Sequence, residues 1–112
     1  MIETLLGNRV AEKCLLFIAN YREGYINGIA RTFNISPSQV KKQLERLETG
    51  GVLVSRRAGN VKMFMFNPRA VYKRELQILL EKVLMNLPKP ELQEYYRKRR
   101  RPRRTGKRIE KD

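Results

Sequence analysis

The sequence predicts a mainly α-helical domain carrying one small β-hairpin, followed by a basic tail. Three observations predict it. Apolar residues recur with helical period in four segments before residue 88. Between the third and fourth segments the period drops to about two, on either side of Ala58-Gly59-Asn60. Beyond Pro88 the apolar pattern thins out while basic residues crowd together.

The first helix is expected from about Arg9 to Asn20, with Val10, Cys14, Phe17 and Ile18 on one face. Gly24 breaks the chain before a short second helix, about Ile26 to Phe33, whose inner residues are Ile29, Ala30 and Phe33. Asn34 suits the left-handed conformation that ends such a helix. Ser36-Pro37 then reads as an N-cap followed by the first helical residue. The third helix continues to about Glu48, burying Val40, Leu44 and Leu47 at i, i+4 and i+7, and Gly50-Gly51 ends it. Val52–Arg57 and Val61–Phe66 are the two strands. Met63, Phe64, Met65 and Phe66 alternate faces, so one pair packs on the helices. Asn67-Pro68 is read as the cap of a fourth helix that runs to about Asn86, and Leu87-Pro88 stops it.

Charge separates two regions. The 112-residue chain has 25 Lys and Arg against 11 Asp and Glu, a formal net charge of +14. Residues 1–88 hold 14 basic and 7 acidic side chains, while residues 89–112 hold 11 and 4, so the tail carries the same excess in far less chain. The expected division is a domain over 1–88, with its last helix available for dimerisation, and a basic disordered tail over 89–112. Arg97, Lys98, Arg99, Arg100, Arg101, Arg103 and Arg104 make that tail a partner for polyanions. Tyr95 and Tyr96 are candidates for stacking on exposed bases, which keeps RNA among the partners considered.

Composition also excludes chemistry. The sequence has no histidine and one cysteine, so neither a His/Cys metal site nor a His-based nucleophile relay can be assembled within one chain. The acidic residues are scattered, and no enzyme activity, cofactor or metal is expected. Cys14 reads as a small buried hydrophobe. The longest apolar run, Cys14 to Ala19, is six residues, too short for a membrane span. No signal peptide is recognised at the N-terminus, and a cytoplasmic location is expected.

Helix, helix, turn, helix, hairpin is the order of a winged helix-turn-helix. The stretch from Ile29 to Val40 resembles the helix-turn-helix core of ArsR-like winged-helix regulators. Leu44–Leu53 resembles their link from recognition helix to wing, and Val54–Lys62 their wing. The resemblance covers about residues 5 to 87. It implies a DNA-binding transcriptional regulator, but the cysteine and histidine clusters of the metal-sensing members are absent, so metal response does not carry over.

Stepping 100° per residue from the buried stripe of the third helix puts Ser38, Lys42, Glu45 and Thr49 on the opposite face, flanked by Gln39, Lys41 and Arg46. Ser36, Ser38, Gln39, Lys41, Lys42 and Arg46 are therefore the candidate DNA contacts of the recognition helix. Gln39 is able to pair with adenine, and Lys42 to reach guanine acceptors or phosphate. Arg56, Arg57, Asn60 and Lys62 are the wing candidates for the sugar-phosphate backbone. Tyr72, Leu76, Leu80, Val83 and Leu87 recur along the fourth helix, with Ile78, Leu79 and Leu84 widening its apolar surface. These five are the expected interface of a homodimer on double-stranded DNA. The function expected is sequence-specific regulation, with repression by promoter occlusion as the simplest mode. The alternative is a winged-helix adaptor that docks a protein while its tail holds RNA or other nucleic acid.

Overall fold

The computed structural model describes residues 1–97. Those residues form six helices and a two-stranded hairpin: α1 (Glu3–Leu6), α2 (Arg9–Tyr21), α3 (Ile26–Phe33), α4 (Pro37–Thr49), β1 (Leu53–Ala58), β2 (Val61–Phe66), α5 (Lys73–Met85) and α6 (Lys89–Tyr96). Among them no helix is long and apolar enough to cross a membrane.

Helix α2 is the central element. The Asn8 side chain caps its start by accepting a hydrogen bond from the Ala11 N–H at 2.7 Å. Its apolar residues run more than halfway round the helix, and Cys14, Leu15, Leu16, Phe17 and Ile18 are all buried. Such a helix needs neighbours on several sides, and α1, α3, α4, α5, α6 and β2 all pack against it. Burial pushes the Cys14 thiol up to about 12, so Cys14 is a packing residue with no thiolate character.

The hairpin pairs Leu53 with Phe66 through to Ala58 with Val61 in antiparallel register. Gly59, at φ +65°, takes the first central position of its two-residue turn, where a positive φ favours glycine. Phe64 and Phe66 face the helices and are buried, while Met63 and Met65 are half-buried on the other face. Gly24 adds a one-residue third strand, exchanging both backbone hydrogen bonds with Phe64 at 3.0 and 2.8 Å. A Cβ at Gly24 would lie 2.9 Å from Ile29 and from the Phe17 ring, so this close approach admits only glycine without rearrangement.

Two expectations are corrected at the C-terminal side. Asn67-Pro68 does not cap a helix. The Asn67 carboxamide accepts from the Arg69 N–H and donates to the Gly51 carbonyl, which fixes a turn, and α5 starts only at Lys73. Residues 89–96 belong to the folded domain and not to the tail. They form α6, in which Tyr96 is buried and Tyr95 half-buried against Phe33. The Tyr21 hydroxyl donates to the Tyr95 carbonyl at 2.6 Å, and the Asn20 amide to the Tyr96 carbonyl at 2.8 Å. The Lys13 ammonium lies over both the Phe33 and Tyr95 rings. Packed in this way, neither tyrosine ring is presented for stacking on a base.

Candidate nucleic-acid interface

The turn between α3 and α4 is fixed by local chemistry. Asn34 adopts the left-handed conformation at φ 56°, ψ 50°, and its N–H and that of Ile35 return to the Ala30 carbonyl. Ser36 then caps α4, accepting from the Gln39 N–H at 3.3 Å, and Pro37 supplies the first helical residue. Val40, Leu44 and Leu47 are buried beneath α4. Ser38, Gln39, Lys41, Lys42, Glu45, Arg46 and Thr49 are exposed, as the 100° stepping requires.

Within that exposed set the side chains differ in what holds them. Lys41 faces Glu45 one turn on, at a loose 3.9 Å. Gln39 and Lys42 make no side-chain hydrogen bond or ion pair within the described residues, so they are free to meet a ligand. The Ser36 and Ser38 hydroxyls are 3.3 Å apart at the start of the helix. Arg46 is different: it turns back to α1, donating to the Leu6 carbonyl at 3.1 Å and to the Gln43 side chain at 3.0 Å. The contact links its guanidinium to the end of α1, while the side chain stays exposed on the flank of α4.

The wing is braced to the end of α4 by Glu48. The Ser55 hydroxyl donates to one carboxylate oxygen at 2.6 Å, and the Lys62 ammonium pairs with the other at 3.4 Å while lying over the Phe64 ring. Arg56 pairs with Glu23 at 2.9 Å. Of the four wing candidates, Arg57 and Asn60 are exposed and without an ion pair among the described residues. With Tyr25, Asn27 and Lys62 they line a shallow hollow between the wing and the start of α3. Arg31, not singled out by sequence reading, adds an exposed cation on α3 and donates to the Tyr25 hydroxyl at 3.1 Å. Its one available signal was position: it lies in the helix preceding the turn.

The Glu48 brace carries a pH prediction. The Ser55 hydrogen bond, reinforced by Lys62, holds the Glu48 carboxyl below its ordinary value. A lowered native value contributes stability that is fully present above the unfolded value of about 4.3 and is lost as pH falls through the native one. In urea melts, wild type is expected to exceed Glu48→Gln in midpoint near neutrality, with the gap closing in acid. A gap independent of pH would show that Glu48 acts by something other than its charge.

Arg97 is exposed just past α6, and the other tail candidates, Lys98, Arg99, Arg100, Arg101, Arg103 and Arg104, lie outside the described residues.

The expected dimer face is corrected too. Leu80, Val83 and Leu87 are buried in the chain's own core and Leu76 is packed against it. Of the five, only Tyr72 stays exposed. The apolar side chains that α5 leaves open are Ile78, Leu79 and Met85.

Neither a protein-family model nor a curated protein sequence matches the chain. Solved structures do. The chain is similar to reduced HlyU from Vibrio cholerae, with a TM-score of 0.58 at 13% identity over 73% of this chain and 80% of that one. It is similar to the transcriptional regulator BldR from Sulfolobus solfataricus, with a TM-score of 0.56 at 16% identity over 82% of this chain. It is also similar to a double mutant of Lactococcus lactis ZitR in its apo form, with a TM-score of 0.51 at 26% identity over 74% of this chain. The chain spans 66% of BldR and 64% of ZitR. The fold is a winged helix, in which α3 and α4 are the helix-turn-helix and β1–β2 the wing.

Proposed function

We propose that this chain is a transcriptional regulator of ArsR-like type that binds double-stranded DNA by sequence. The observation that carries the reading is the exposed start of α4, where Gln39 and Lys42 are uncommitted on a helix fixed by a capped turn and a buried stripe. The N-terminal half of such a helix is the part that enters a major groove. Gln39 has the donor and acceptor for adenine, and Lys42 is a donor for guanine. Ser36, Ser38 and Lys41 suit the phosphates beside the groove, and Arg57 and Asn60 suit those beneath the wing. Arg56 and Lys62 stand at the wing's edge, each already holding a carboxylate. The basic residues from Arg97 onward add affinity without sequence information. The fold shared with BldR, itself described as a transcriptional regulator, supports the reading. Two copies on a two-fold would read half-sites about one helical turn apart, and covering a promoter is the simplest mode of action.

Selection from random duplex DNA at about 0.15 M salt, with excess competitor, tests this. An enriched motif of two inverted halves is expected. Salt-sensitive binding with no enriched motif would overturn sequence-specific recognition and favour a chain whose affinity for nucleic acid is purely electrostatic.

A further inference from the structure

One side chain on the open face of α4 has the wrong charge for a surface that meets phosphates. Glu45 is exposed together with Ser38, Lys41 and Lys42. The four stand at i, i+3, i+4 and i+7, the spacing that a helix lying in a major groove turns toward the bases. The carboxylates that adjoin α4 and the wing, Glu23 and Glu48, are already engaged. Glu23 pairs with Arg56 at 2.9 Å, and Glu48 accepts from the Ser55 hydroxyl while pairing with Lys62. Among the described residues Glu45 has an ion pair with Lys41 only, at 3.9 Å, which is too long for a hydrogen bond. The two side chains are 59% and 49% exposed, Lys41 the more so. A Lys41 that turns to a phosphate leaves this carboxylate without a partner. Close to the phosphates of a duplex an unpaired carboxylate is repelled, unless it finds a donor in the groove.

Building on the sequence-specific reading above, on which this inference rests, we propose that Glu45 is a specificity-determining residue that selects a cytosine by accepting a hydrogen bond from its N4 amino group. The major-groove edges of the bases leave one fit. Guanine presents acceptors at N7 and O6 and thymine one at O4, and each repels a carboxylate. Adenine has a donor at N6, but the N7 acceptor beside it turns a carboxylate away. Cytosine presents a donor with no acceptor next to it on the same base. Glu45 lies three residues beyond Lys42, about 4.5 Å along the helix axis, a little more than the rise of about 3.4 Å per base pair. For a helix lying along the groove, the cytosine therefore belongs to the base pair next to the one that Lys42 reaches. The same carboxylate rejects as well as selects. A site that lacks this cytosine leaves it facing acceptors, which discriminates against wrong sequences without adding affinity for the right one.

The deciding experiment selects random duplex DNA with the full chain as wild type, Glu45→Ala and Glu45→Gln side by side. In the wild-type motif, one C·G pair in each half is expected to be preferred at least about fivefold over any other pair. Glu45→Ala is expected to flatten that position alone. It is also expected to bind unrelated duplex about two- to fivefold more tightly, because a charge repelled by phosphates is gone. Glu45→Gln is expected to move the preference at that position from cytosine to adenine, since the carboxamide supplies the donor that N7 requires. Both variants should fold, because Glu45 lies outside the buried stripe of α4 and its ion pair is loose. A merely supporting role in α4 would weaken every position of the motif together and could not exchange one base for another, so that result would overturn the proposal. A motif with the same preferences in all three proteins would overturn it too, while leaving sequence-specific binding intact. A wild-type selection with no motif at all would overturn sequence-specific binding and the role of Glu45 with it.

Discussion

Truncating Phe64 to alanine is expected to remove about 3–5 kcal/mol of stability, a large part of the 5–15 kcal/mol or so that holds a small domain together. Phe64 has no solvent exposure and sits where the wing meets the helices. Its backbone is bonded to Gly24 through both its N–H and its carbonyl, so the strand cannot readily slide inward to fill the space left by the ring. The Lys62 ammonium, 5.3 Å from the ring centroid, would lose its aromatic partner as well. Met65 offers the internal control. It lies on the same strand but on the opposite face and is half-buried, so Met65→Ala should fall well short of the loss at Phe64. Urea unfolding of the two variants, read as midpoints at constant m-value, makes the comparison. A Phe64 loss no larger than that at Met65 would mean the wing is not seated on the core through this ring.

Local chemistry made the helix-turn-helix and the wing legible. Asn34, Ser36 and Pro37 each have a side-chain or backbone property that determines the conformation of a residue or two, and all three behave as those properties dictate. The alternation from Val61 to Phe66 likewise indicates which residues share a face, and the structure places Phe64 and Phe66 together inside. What failed depends on long-range contacts. A helix apolar over much of its circumference, as α5 is, does not reveal which arc its own domain takes, and Leu80, Val83 and Leu87 went inward while Ile78 and Met85 stayed out. Helix α6 looks like the opening of a tail because its tyrosines find their partners, Asn20 and Tyr21, more than seventy residues earlier. Arg46 lies on the expected flank of α4, but the Leu6 carbonyl forty residues away determines where its guanidinium points. Spacing locates a side chain's root, not its head, and the head of a long arginine settles where a partner holds it.

Removing Gln39 and Lys42 together is expected to weaken binding to the selected DNA site by about 1–3 kcal/mol for each base-reading contact, roughly 5- to 150-fold apiece. Binding to unrelated duplex should change far less. Both residues are exposed and lie outside the core stripe of Val40, Leu44 and Leu47, so the variant should fold and melt as wild type does. Deleting residues 98–112 is expected to do the opposite, because eight of the eleven residues from Lys98 to Arg108 are basic, a density of charge that attracts any polyanion. About six phosphate contacts from that segment would contribute a log–log salt slope near −5. The deletion should lower affinity for all sequences alike, flatten the salt dependence and leave the preferred motif intact, since it keeps α6 and all of the α4 face. The two changes therefore separate what the domain reads from what the tail attracts. If Gln39→Ala with Lys42→Ala lowers specific and non-specific binding equally, the α4 face acts only as charge, and sequence preference must come from the shape of the duplex under the wing.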